Sequence, residues 1–170
     1  MDLKEKIRVI PDFPVDGIRF KDITTLLKDG PAFHKAIDDM AEMLKGVQVD
    51  VVVGPEARGF LIGAPLAYKL GKGFIPVRKA GKLPAEVLEA TYELEYGKDK
   101  LAIHKDAIEP GSKVLVVDDL LATGGTIWST VDLVLQLGGQ VTGIAFLIEL
   151  TYLDGREKLA GHPVFSLLEF

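Results

Sequence analysis

The sequence predicts an α/β domain with a mostly parallel central sheet flanked by helices. Three observations carry that expectation. Short apolar runs at 49–53, 114–117 and 141–148, rich in β-branched residues, have the continuous hydrophobicity of strands buried on both faces. They alternate with segments of helical periodicity, the pattern that builds a parallel sheet through crossovers. Three chemically loaded segments follow strand ends, where ligands bind in such sheets: Glu56-Ala57-Arg58-Gly59, Arg78-Lys79 and Asp118-Asp119 with its loop.

Taken in order, residues 1–28 mix turn signals (Pro11, Pro14, Gly17) with short apolar pieces and read as an irregular N-terminal segment. Phe33, Ile37, Met40, Ala41 and Leu44 recur at helical spacing, with Pro31 suited to the first turn. A strand at 49–53 ends at Gly54-Pro55, and a second helix follows over 59–70, with Pro65 placed to bend it. A short strand covers 73–77. Residues 86–96 are rich in β-formers and pair with 101–105 as a hairpin. The run 114–117 leads into a helix that starts near Ile127 and closes at Gly138-Gly139. A buried strand at 141–148 and an edge strand at 164–168 complete the chain.

Length and composition bound the function. At 170 residues the chain makes one domain, able to bury roughly 70% of its unfolded surface. With 48% apolar residues it needs no staples, and with no cysteine it has neither disulfides nor thiolate chemistry. No apolar stretch follows the first residues, so no signal peptide or membrane span is expected, and a cytoplasmic protein is. Net charge is −5 and no long basic run occurs, which argues against nucleic acid as a partner. An anionic ligand must then be held by local groups.

Residues 114–126 say most about those groups. After the apolar run come two adjacent carboxylates, Asp118 and Asp119, then the small-residue loop Ala122-Thr123-Gly124-Gly125-Thr126 and a helix. Such a loop frees backbone N–H groups, and a helix N-terminus behind it adds partial positive charge, so a phosphate monoester fits. The acids suit vicinal hydroxyls, which they accept as hydrogen-bond donors. Phosphate beside a diol describes ribose 5-phosphate. No Gly-Lys-Ser/Thr follows, so this is not a Walker loop.

Other candidates are individually weaker. Arg58, in a turn feeding a helix, can add a fork of donors to backbone N–H groups, or can simply cap its neighbour Glu56. Arg78, Lys79 and Lys82 lie among glycine and proline, as a mobile segment able to close over a polyphosphate or as a solvated basic loop. Period-two alternation puts Glu93 and Glu95 on one strand face, which by pattern alone is solvent-facing. His34 and His104 have no partner spacing for a metal.

The stretch 118–126 resembles the phosphoribosyl-pyrophosphate signature of the type I phosphoribosyltransferases. With Lys79 to Pro84, Leu94-Glu95-Tyr96-Gly97, Lys105-Asp106-Ala107, the N-terminal motif from Phe13 to Ile23 and Gly155-Arg156-Glu157-Lys158-Leu159, the chain is similar almost throughout to the adenine phosphoribosyltransferase branch. The resemblance implies a type I phosphoribosyltransferase fold, with a hood over about 1–28 and a flexible loop and hairpin over about 77–97. It implies transfer of ribose 5-phosphate from phosphoribosyl pyrophosphate to adenine, dependent on Mg²⁺ held mainly by substrate and water. Asp118 and Asp119 would hold the ribose hydroxyls and residues 122–126 the 5′-phosphate. Arg58, Lys79 and Lys82 would meet pyrophosphate, and Arg78 would cross the two-fold interface of a homodimer. Glu95 would be the acid or orienting group at the purine, with Phe20 and Leu120 sandwiching the base. Lys21 stands where relatives often carry arginine, and main-chain atoms there are thought to read the base. The signature loop is shared with transferases for xanthine and pyrimidines, so only Phe20-Lys21 and Glu95 speak for adenine. A regulator binding the same ligand would need a nucleic-acid surface, which the acidic charge opposes.

Overall fold

The computed structural model describes residues 1–93 and 97–170, with Glu93 in its backbone alone. An N-terminal pair of strands, β1 (Arg8–Pro11) and β2 (Arg19–Asp22), is followed by α1 (Thr24–Leu27) and α2 (Gly30–Met43). Then come β3 (Val51–Pro55), α3 (Arg58–Leu70), β4 (Gly73–Lys79), β5 (Val87–Glu93) and β6 (Lys98–His104). The chain closes with β7 (Lys113–Leu121), α4 (Gly125–Gln136), β8 (Gln140–Glu149) and β9 (Val164–Glu169).

Seven strands form one sheet in the order β5-β6-β4-β3-β7-β8-β9. From β4 to β9 neighbours run parallel, while β6 joins β4 and β5 antiparallel as the expected hairpin. The strand at 164–168 is an edge, as its position in the sequence suggests.

Period two sorts β7 between two cores. Leu115 and Val117 pack with Ile37, Met40, Ile62 and Leu66 of α2 and α3 on one face. Val114 and Val116 pack with Ile127, Val131 and Val134 of α4 on the other, beside the fully buried Phe146. Truncating a side chain such as Phe146 to alanine would cost about 3–5 kcal/mol.

The first helix of the core starts where its sequence directs. The Asp29 carboxylate accepts from Ala32 N–H at 3.2 Å, and Pro31 occupies the first turn. Pro65 lies inside α3, which runs on through it.

Three expectations change. The N-terminal segment is not irregular: β1 and β2 pair antiparallel from Arg8↔Asp22 to Pro11↔Arg19, and Arg8 meets Asp22 at 2.5 Å. Each strand has only four residues, too few for alternation to stand out. Asp118 and Asp119 do not follow a strand end; the ladder with β8 continues through Leu121↔Glu149 and carries them within β7. Arg78 and Lys79 likewise lie inside β4 rather than beyond it, because Arg78↔Ala102 and Lys79↔Leu101 extend the strand against β6. Among the described residues no helix is long and apolar enough to cross a membrane.

Candidate functional site

The parallel strands are added in one direction from β3 to β4, then on the other side of β3 by β7. Between β3 and β7 the strand order therefore reverses. The helices that follow these two strands leave to opposite faces, α3 into one core and α4 into the other. A crevice opens at such a switch point, beyond the carboxyl ends of the strands. Here it is a cleft of about 270 Å³ lined by Glu56, Ala57 and Arg58 after β3 and by residues 118–127 at the end of β7 and the start of α4.

Its floor is acidic. Asp119 is 3% exposed and its main-chain N–H donates to Asp118 Oδ1 at 2.8 Å. Arg58 Nε stands 3.1 Å from Asp119 Oδ2, without the alignment of a hydrogen bond. That oxygen is buried and accepts no hydrogen bond from any described residue. A buried carboxylate oxygen without a donor is costly, and a hydroxyl brought by a ligand would satisfy it. Burial and then the neighbouring Asp119 charge push the Asp118 carboxyl well above the usual carboxylate range, against the pull of Arg58. Two acids held this close favour a ligand that brings donors or positive charge.

The opposite end suits an anion. Gly124 caps α4 at φ +90°, a left-handed conformation, and offers no side chain to the first turn. The first N–H groups of the helix have no acceptor within it. These amides and the helix dipole lie at residues 124–126, which line the cleft with exposed Thr123 and Thr126.

Most of the sequence-derived candidates converge here: Arg58, Asp118, Asp119, Leu120, Ala122, Thr123, Gly124, Gly125 and Thr126 all line the cleft. Phe20 stands beside it, with the Arg58 guanidinium 5.5 Å from its ring centre and Phe13 edge-on at 5.2 Å. Lys21 is buried, but its ammonium turns to the Phe170 ring at 4.9 Å, so only its main chain can face a base beside Phe20.

The basic segment is not in the cleft. Arg78 Nε and the Lys79 main-chain N–H both reach Glu56 Oε1, at 3.2 and 2.8 Å, while the Lys79 ammonium lies 3.9 Å from Asp99 and Lys82 is exposed. Glu56 thus pairs with Arg78, not with its sequence neighbour Arg58. Sequence reasoning missed Glu56 as a site residue; its place in the turn after β3 was the available signal. Glu95 lies outside the described residues.

A switch-point cleft that holds an unpartnered carboxylate oxygen and an uncapped helix start is suited to a phosphorylated sugar. Residues 24–165 match the model of the phosphoribosyl transferase domain, and the chain belongs to the phosphoribosyltransferase family. Its relatives narrow the branch. It is 64% identical over 170 residues to the adenine phosphoribosyltransferase of Brevibacillus brevis, covering 100% of both chains. Among solved structures, the adenine phosphoribosyltransferase of Thermoanaerobacter pseudethanolicus superposes with a TM-score of 0.96 at 60% identity, over 99% of this chain and 98% of that one. The Saccharomyces cerevisiae enzyme, solved with an imino-altritol bisphosphate and adenine, gives 0.91 at 46% identity, over 97% and 96%.

Proposed function

We propose that the protein transfers ribose 5-phosphate from phosphoribosyl pyrophosphate to adenine, giving AMP and pyrophosphate as a step of purine salvage. The observation that carries this reading is the convergence, at the switch point, of half-buried Asp118 and buried Asp119 with the uncapped start of α4. The relatives' activity supports adenine as the acceptor.

Asp118 and Asp119 accept from the ribose 2′- and 3′-hydroxyls and stabilise positive charge as the C1–pyrophosphate bond opens ahead of attack. Residues 122–126 hold the 5′-phosphate through main-chain N–H groups and the two threonine hydroxyls. Arg58 reaches the pyrophosphate from the turn after β3, and Lys79 and Lys82 meet it from the end of β4 and the following loop. Phe20 and Leu120 flank the purine, the main chain at Lys21 reads its edge, and Glu95 orients it as N9 attacks.

Mg²⁺ fits this donor set. Among the described residues no group of three or more His, Cys, Asp or Glu could hold a metal alone, and an ion that keeps waters and substrate oxygens asks for few protein ligands. Asp118 and the unpartnered Asp119 Oδ2 would face it through ribose hydroxyls or water, and it would neutralise the departing pyrophosphate.

The enzyme works in the cytoplasm as a homodimer, with Arg78 reaching the neighbouring subunit's site. Incubating the protein with adenine, phosphoribosyl pyrophosphate and Mg²⁺ tests the reading: AMP and pyrophosphate should form in equal amounts, and their absence overturns it.

A further inference from the structure

The motif Gly155-Arg156-Glu157-Lys158-Leu159 contributes nothing to the cleft lining. It forms a short 3₁₀ turn, Gly155–Leu159, in the connection from β8 to β9. That turn lies against the back of the phosphate loop. A Cβ on Gly155 would stand 2.4 Å from the Ala122 carbonyl oxygen and 2.8 Å from Leu121 Cδ1. A Cβ on Gly124 would stand 2.9 Å from the Gly155 carbonyl oxygen. Backbone meets backbone with no side chain between, and fully buried Leu159 joins the core of Leu121 and Ile127.

The turn is held by an ion pair between a buried carboxylate and a partly exposed guanidinium. Glu149, the last residue of β8, is 5% exposed. Arg156 Nε donates to its Oε1 at 2.7 Å and Oε2 at 3.0 Å, and Arg156 Nη1 donates to the Val164 carbonyl at 3.1 Å. Ser166 Oγ donates to Glu149 Oε2 at 2.5 Å. The two carboxylate oxygens are thereby satisfied, and the guanidinium bridges β8 to β9 beside the turn. With the guanidinium 45% exposed, the pair adds little stability and is better suited to fixing a register.

We propose that Glu149, Arg156 and Gly155 are positioning residues for the 5′-phosphate. The ion pair anchors the turn, and the turn's backbone sets the height of residues 122–126 against the incoming phosphate. None of the three lines the cleft, so the effect passes wholly through the loop. The inference rests on the phosphoribosyl reading above and adds to it the part that holds the anion site in shape.

Two variants test it. Arg156→Lys keeps a cation opposite buried Glu149 but loses the fork, and Gly155→Ala places a methyl against Ala122. Each should raise KM for phosphoribosyl pyrophosphate about tenfold while KM for adenine stays within about twofold, since a displaced loop misplaces only the group it grips. The Kd for ribose 5-phosphate, followed by fluorescence of Trp128, the chain's only tryptophan and a residue of α4, should rise in parallel. A merely structural role would move both KM values together or lower the melting temperature alone, and either result overturns the proposal. So does an unchanged KM for phosphoribosyl pyrophosphate in a folded variant. Should Gly155→Ala fail to fold, Arg156→Lys decides. If the native protein binds ribose 5-phosphate but makes no AMP, the functional reading fails, and the Kd comparison still decides the positioning role.

Discussion

Arg58 and Asp119 are ion-paired without being hydrogen-bonded: Nε lies 3.1 Å from Oδ2, and that buried oxygen accepts no donor from the described residues. The arginine supplies compensating charge and leaves the acceptor free for a hydroxyl. Phe20 lies under the same guanidinium at 5.5 Å. One side chain therefore links the acid proposed to face the ribose to the ring proposed to hold the base.

Asp119→Asn keeps the shape of this arrangement and removes its charge. The expected result is an unchanged circular dichroism spectrum with kcat lowered about 10²-fold, the scale of one preorganised electrostatic contact. Undiminished turnover would return Asp119 to a purely structural role.

Asp118 should behave differently in the ligand-free protein. Its carboxyl is held well above its ordinary value of 3.8 by burial and by the Asp119 charge. As pH rises from 3.8 toward the folded value, the folded state keeps a proton that the unfolded chain releases, so stability from this group falls with rising pH. Asp118→Asn removes that loss. Its melting temperature at pH 8 should exceed that of the native protein by about 2–4 °C, and the difference should close near pH 4. Activity falls in the same variant. A lower melting temperature at pH 8 would contradict the burial argument.

Much of this was legible in the sequence, for physical reasons. The runs at 49–53, 114–117 and 141–148 gave β3, β7 and β8 because strands covered on both faces must be apolar throughout. That 122–126 is a tight loop leading into α4 was readable because small residues and Gly-Gly precede the helical pattern. What stayed hidden depends on partners distant in sequence. β1 and β2 exist through mutual pairing and the Arg8–Asp22 ion pair, which no local pattern announces. Glu56 became a site residue only when β4 brought Arg78 beside it, 22 positions away. Gly155 stands out only within the C-terminal motif, and its close approach to Ala122 depends on a partner 33 positions away.

The sequence suggests a lid over 78–84; with Arg78 and Lys79 held in β4, the part expected to close is 80–84. Arg78 and the Lys79 amide engage Glu56, and exposed Lys82 lies outside the cleft. Phosphoribosyl pyrophosphate with Mg²⁺ offers these cations stronger partners, and closure would shield the reacting ribose from water. Hydrogen exchange across the segment should slow when both are added. Equal exchange in the two states would make it an ordinary surface loop and leave the pyrophosphate to Arg58 and Mg²⁺.

The central claim is that the cleft reads adenine. A backbone carbonyl beside Lys21 would accept from the 6-amino group, whereas hypoxanthine presents an acceptor there and would leave two acceptors facing each other. Discrimination built on an unpaired polar group reaches about 10⁴-fold or more. The direct measurement is kcat/KM for adenine and for hypoxanthine, each with phosphoribosyl pyrophosphate and Mg²⁺, scored by nucleotide formed. The account predicts a ratio of about 10⁴ in favour of adenine; equal efficiencies would contradict it.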